Sequence, residues 1–163
     1  MDLRKIVILG LGSNIGNTRK NIIEARNKIP MKDKILSPII KTKALLTKNA
    51  PSAWDIDYLN AIVIGKPLFT PLETLQRVKK IEKQMKRIKI GKYSPRTIDI
   101  DILFWGDKLI TERYLTAPHR EVLKRFFTLK PIASVCPLLI HPTAGITLKQ
   151  AFSNYCRRNK IAS

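Results

Sequence analysis

Two aspartates two residues apart, Asp99 and Asp101, stand in "SPRTIDIDILFWG", Ser94 to Gly106. Strand side chains alternate between faces, so both carboxylates share one face and Ile98, Ile100 and Ile102 take the other. Their Cα atoms are then about 6–7 Å apart. Unpaired buried carboxylates this close raise each other's pKa, and a divalent cation removes that cost. Mg2+ is a hard ion that takes a few carboxylates together with substrate phosphate oxygens. The spacing therefore suits Mg2+-nucleotide chemistry. A solvated edge strand would carry the same two residues, so the D-x-D pattern alone does not decide.

The flanking residues add to it. Arg96 stands three before Asp99, behind Pro95, and a guanidinium is the expected partner of phosphoryl oxygens beside a metal. Upstream, a helical stretch carries Arg77, Lys79, Lys80, Lys83, Lys86, Arg87 and Lys89 with Glu82 as its one acid. A solvated basic face has the same composition. "GLGSNIGN", Gly10 to Asn17, departs from a dinucleotide fingerprint because its third glycine falls at 16 rather than 15, and the chain has no G-x-x-x-x-G-K-[ST] loop. It reads as a tight strand-to-helix turn, with Asn17 or Thr18 as cap. His119 follows Pro118, with Arg125 six residues on. His141 is the other histidine, so a histidine metal cluster is excluded.

These residues need elements to hold them. "KIVILGLG" is a continuous apolar run ended by glycines, a buried strand. A helix runs from Asn17 to Pro30. "KILSPIIKTKALL" is extended, with Pro38 marking an edge or a bulge. After a polar loop, "YLNAIVIGKPLF" is another strand. The next helix opens with Thr70 as N-cap, Pro71 at its first position and Glu73 completing a capping box. Leu72, Leu75, Val78, Ile81 or Glu82, and Met85 are expected on its buried face. The D-x-D strand follows. Strand, helix, strand, strand, helix, strand is the split βαββαβ order, which predicts an α+β, ferredoxin-like core in an α/β sandwich. Short helical pieces are expected at 121–127 and 148–155.

The chain has 163 residues, 44% hydrophobic, and reads as one domain over 1–163 with a real core. No apolar run reaches 18 residues, which excludes a membrane-spanning helix, and the N-terminus lacks a signal-peptide cleavage site. Cys136 and Cys156 lack metal-ligand spacing and fit a reducing, cytoplasmic setting. A net charge of +19, from 31 Lys+Arg against 12 Asp+Glu, attracts polyanions such as nucleic acid or a nucleoside triphosphate, and a general preference for lysine would produce it too.

Together the motifs resemble the 6-hydroxymethyl-7,8-dihydropterin pyrophosphokinase family. "YSPRTIDIDILFWG" is similar to its signature, "GLGSNIGN" to its Gly-Ser-Asn turn, "DYLNAIV" to its substrate strand, "IEKQMKR" to its Glu-to-Arg helix end, and "LTAPHREVLKRFFTLKPI" followed by "HP" to its late motif. The resemblance runs from about Ile6 to Pro142. It implies transfer of diphosphate from ATP to a pterin hydroxymethyl group, with AMP released, in folate biosynthesis. It implies two Mg2+ ions on Asp99 and Asp101, with Arg87 and Arg96 stabilising the transferring group. It assigns Glu82, Ile102, Thr116, His119 and Arg125, besides the two arginines, to ATP. It assigns Thr42, Leu45, Tyr58, Asn60, Tyr93 and Phe127 to the pterin. The chain departs from the pattern at "KTKALL", at Tyr93 where tryptophan is common, at Ser94 where glycine is usual, at Lys79 where glutamine is common, and at Arg120. The family also implies a chain fused to, or working beside, dihydropteroate synthase, with neither nucleic acid nor membrane as partner. A basic ferredoxin-like RNA-binding module is the alternative, but its K/R-G-F/Y-G/A-F-V-x-F/Y strand is missing.

Overall fold

The apolar run after Lys5 forms strand β1, Val7–Ser13, in the computed structural model, which describes residues 2–87 and 94–161. Helix α1, Thr18–Lys28, follows, and Asn17 caps it by accepting the Lys20 N–H at 3.0 Å. The extended segment around Pro38 is two short strands, β2 Met31–Leu36 and β3 Ile40–Thr42. Both pair with β4, Tyr58–Pro67. Pro38 has no N–H for a ladder, which is why the strand divides there. Ser37 bridges the gap. Its N–H donates to the Ile62 carbonyl and its hydroxyl accepts the Ile62 N–H, both at 2.9 Å.

Helix α2, Pro71–Gln84, carries the capping box its sequence predicts. Thr70 Oγ1 accepts the Glu73 N–H, and Glu73 accepts the Thr70 N–H at 3.0 Å. Strand β5, Asp99–Trp105, is followed by a small pair, β6 Ile110–Thr111 and β7 Thr116–Ala117, which the sequence reading did not anticipate. The C-terminal part is more helical than expected. A 3-10 turn at Val122–Lys124 leads into α3, Phe126–Val135, and α4 spans Leu148–Asn159.

The main sheet is antiparallel, in the order β2-β4-β1-β5, with β3 also on β4. One face is covered by α1 and α2. There Val7, Leu9 and Leu11 meet Ile22, Ala25, Val78 and Ile81, together with Ile98, Ile100 and Ile102. Each fully buried aliphatic side chain contributes about 1.5–3 kcal/mol. The other face divides along its length. Ile8, Ile62, Ile64 and Phe104 are covered by Val122, Ile132 and Leu148 from the C-terminal helices and the turn before them. Beyond them β1 continues with Gly10 and Gly12, which have no side chains to cover.

Candidate active site

The two glycines set the depth of a cleft. Across the β1–β5 ladder Gly10 stands opposite Asp101 and Gly12 opposite Asp99. Across β1–β4 they stand opposite Ile62 and Asn60. A Cβ on Gly12 would lie 3.2 Å from Asn60 Oδ1, and one on Gly10 3.2 Å from Leu103 Cδ1. The uncovered half of the face is therefore a hollow of about 570 Å³, with both aspartates in its wall.

The aspartates differ in their surroundings. Asp99 is clamped: Arg87 Nη1 lies 2.8 Å from Oδ1 and Arg96 Nη1 lies 2.6 Å from Oδ2. Burial acts to raise its pKa, but Arg87, Arg96 and Lys79 outweigh it and hold the carboxyl below the usual range. The Asp101 carboxylate has no hydrogen bond or ion pair among the described residues. Burial, then the charge of Asp99, pushes it up. A half-buried carboxylate without a partner, beside a second carboxylate, is a hard-oxygen donor set that a divalent cation satisfies.

The arginine is placed by the glycine turn. Asn14, 4% exposed, accepts the Arg96 N–H on Oδ1 at 2.8 Å and donates its own N–H to the Arg96 carbonyl at 3.1 Å. Arg96 Nε also donates to the Ser94 carbonyl at 3.0 Å. "GLGSNIGN" reads locally as a turn, and nothing within it signals the hold of Asn14 on Arg96. The glycine floor does have a local signal, since glycine at i and i+2 in a strand leaves a bare face.

A bulge brings in the histidine. The β1–β5 register slips between Ile8 and Leu9, leaving Leu103 as the extra residue. Its carbonyl accepts the His119 N–H at 2.9 Å. His119 Nδ1 accepts the Glu121 N–H at 3.2 Å, which leaves Nε2 as the donor of the neutral ring. Burial lowers the His119 pKa, and the charge of Asp101 opposes that shift.

Tyr58 and Phe127 also line the cleft, with Asn60, Thr42 and Leu45. Asn60 Nδ2 donates to Thr42 Oγ1 at 2.8 Å, which turns its Oδ1 over Gly12. Arg125 is in the lining, its guanidinium 5.6 Å from the Phe127 ring centre. Thus Thr42, Leu45, Tyr58, Asn60, Arg87, Arg96, Asp99, Asp101, His119, Arg125 and Phe127 meet in one cleft. Lys43, Lys79 and Thr128 line it as well, though the sequence did not single them out for it. Three expected residues stand apart from the lining. Glu82 is buried behind Arg87, the Ile102 side chain is in the opposite core, and Thr116 is on β7. Tyr93 lies outside the described residues.

A family model described as 7,8-dihydro-6-hydroxymethylpterin-pyrophosphokinase (HPPK) matches residues 8–137. The chain belongs to this family. A "2-amino-4-hydroxy-6-hydroxymethyldihydropteridine pyrophosphokinase" of Aquifex aeolicus is 34% identical over 148 residues, 88% of each chain. A "Folate synthesis bifunctional protein" of Chlamydia trachomatis is 41% identical over 136 residues, 80% of this chain and 30% of that one. The chain thus spans less than a third of that bifunctional relative. Among solved structures, wild-type Plasmodium falciparum HPPK-DHPS with pterin and p-hydroxybenzoate superposes with a TM-score of 0.71 at 18% identity, covering 95% of this chain and 44% of that one. The last likeness is one of fold. Among its described residues this chain has a five-stranded antiparallel sheet and four α-helices, and its fold is similar to that structure's.

Proposed function

We propose that the chain transfers the terminal diphosphate of ATP to the hydroxymethyl group of 6-hydroxymethyl-7,8-dihydropterin, releasing AMP, in folate biosynthesis. The observation that carries the reading is Asp101, without a partner among the described residues, beside an Asp99 held by two arginines, in a cleft that also presents Tyr58, Asn60 and Phe127. Family membership and the Aquifex relative support it. Residues 1–163 act as one pyrophosphokinase domain, and the strand order β2-β4-β1-β5 supports a ferredoxin-like core.

The pterin hydroxyl oxygen attacks the β-phosphorus of ATP, its proton leaves to water, and the bond from the β-phosphorus to the oxygen on the α-phosphate breaks. Such transfers depend on positioning and charge neutralisation. Asp99 and Asp101 would hold two Mg2+ ions, which supply Lewis-acid neutralisation of the triphosphate. Arg87 and Arg96 face the equatorial oxygens as charge moves to the leaving AMP. His119 Nε2–H and Arg125 hold the nucleotide phosphates, and Thr116 binds ATP from β7, outside the cleft lining. Ile102 contributes its backbone at the open edge of β5. Tyr58 and Phe127 stack on the pterin, Asn60 Oδ1 accepts from its N–H edge, and Thr42, Leu45 and Tyr93 border it. The product's chemistry and the bifunctional relatives support a working partnership with dihydropteroate synthase.

The test is an assay with ATP, Mg2+ and the hydroxymethyl dihydropterin. One AMP per diphosphorylated pterin is expected. Formation of ADP, or nucleotide cleavage independent of the pterin, would overturn the reading.

A further inference from the structure

Glu82 is an acid where a helix least favours one. It lies in the last turn of α2, where unpaired carbonyls present negative charge, and it is only 4% exposed. Both its oxygens are nevertheless occupied. Oε1 accepts the Ile100 N–H at 2.7 Å and lies 2.5 Å from Arg87 Nη1, and Oε2 lies 3.1 Å from Lys79 Nζ. Lys79 Nζ donates in turn to the Ile100 carbonyl at 3.3 Å. Among the described residues β5 pairs with β1 alone, so the N–H and C=O of Ile100 face its open edge. Glu82 and Lys79 stand in for a missing neighbouring strand at the residue between the two aspartates. Arg87 Nη1 is meanwhile shared between two carboxylates, Glu82 and Asp99.

We propose that Glu82 is a positioning residue, which keeps hold of Arg87 when Asp99 turns from the arginine to a metal ion. The inference rests on the diphosphate-transfer reading. Asp99 has a guanidinium on each oxygen, so a cation arriving there competes with both for the carboxylate's charge. Arg96 is also tied to the Ser94 carbonyl and, through its backbone, to Asn14. Arg87 is the one with a second carboxylate to retain. Glu82 thus lowers the cost of freeing Asp99 and leaves the guanidinium at the cleft wall, beside the phosphates. Its bond to the Ile100 amide fixes the spacing between this holding point and the aspartates.

The test is a cycle of four proteins: wild type, Glu82→Gln, Arg87→Met and the double variant. In Glu82→Gln the side-chain carbonyl can still accept the Ile100 N–H, so the fold should persist, as circular dichroism would verify. Mn2+ affinity is read by electron paramagnetic resonance in the presence of a non-hydrolysable ATP analogue. Glu82→Gln should weaken Mn2+ about tenfold, because Arg87 then has Asp99 as its one carboxylate. In the Arg87→Met background the same change should cost less than about twofold. Turnover of Glu82→Gln should fall while the KM for ATP stays near wild type. If Glu82→Gln does not fold, Glu82→Asp, which keeps the charge but withdraws it by one methylene, takes its place with the same expected cycle. Equal losses in both backgrounds would overturn the proposal, since Glu82 would then act through charge alone, and so would unchanged Mn2+ affinity in Glu82→Gln. Failure of the wild type to bind Mn2+ with the nucleotide would instead count against the diphosphate-transfer reading itself.

Discussion

Gly12 lies opposite Asp99 across one ladder, and the space above its Cα belongs to the cleft. Its backbone needs no left-handed conformation, so alanine is tolerated there conformationally. A Cβ would stand 3.2 Å from Asn60 Oδ1 and 3.7 Å from Tyr58 Cδ1. Gly12→Ala should therefore leave stability unchanged or raise it by about 0.5 kcal/mol, through reduced freedom of the unfolded chain. Pterin affinity should fall about tenfold, roughly 1.4 kcal/mol, with ATP affinity nearly unchanged. Urea unfolding and separate ligand titrations check both halves. Equal loss of the two affinities would mean that Gly12 does not border the pterin.

The aspartates should behave oppositely when their charges are removed. Asp99→Asn strips the counter-charge from Arg87 and Arg96, so the unliganded protein should lose about 2 kcal/mol. Asp101→Asn removes a carboxylate that burial and Asp99 make costly to ionise, so thermal stability without Mg2+ should hold or rise slightly at neutral pH. Both variants should lose diphosphate transfer. Melting curves and AMP release separate the outcomes, and near-normal turnover of either variant at saturating Mg2+ would remove the metal role.

Tyr58→Ala and Phe127→Ala should weaken the pterin far more than ATP, by about 0.5–1.5 kcal/mol beyond the area lost, since each removes one aromatic face. Titration with each ligand alone is the measurement. A parallel fall in ATP affinity would contradict the stacking roles.

What the sequence made legible follows a short physical period. Asp99 and Asp101 against Ile98, Ile100 and Ile102 is a two-residue alternation, and the strand keeps it. Thr70, Pro71 and Glu73 are a local capping signal, complete within four residues. What escaped depends on partners distant in sequence. Asn14 meets Arg96 across 82 positions, and the bulge at Leu103 is a property of the β1–β5 ladder rather than of either strand. The sequence places a helical piece at 121–127, whereas α3 runs Phe126–Val135 and takes Pro131 into its interior, at a cost of about 3 kcal/mol. Burial of Thr128, Leu129, Pro131 and Ile132 on one face offsets that cost.

The last prediction concerns "HPTAG", which the site does not use. His141 is 6% exposed, and the Phe104 ring lies edge-on to it at 5.5 Å. Its Nδ1 accepts the N–H groups of Thr143 at 3.4 Å and Ala144 at 3.3 Å, closing the turn between α3 and α4. Protonating Nδ1 would set an N–H against two others, and burial already holds the ring's pKa below its usual 6.5. Burial lowers His119 in the same direction. The sign follows from linkage. As pH falls through about 6.5 the unfolded chain takes up protons that the folded one refuses, so stability is full above that pH and declines below it. His141→Gln keeps a carbonyl acceptor for the turn but cannot titrate. It should cost about 1 kcal/mol at pH 7.5 and reduce the loss of stability between pH 7.5 and 5.5. With His119→Gln added, most of the remaining loss in that window should vanish, because the chain has no other histidine. Urea unfolding of the three proteins at the two pH values measures this. An undiminished acid loss in the double variant would assign it to carboxylates instead.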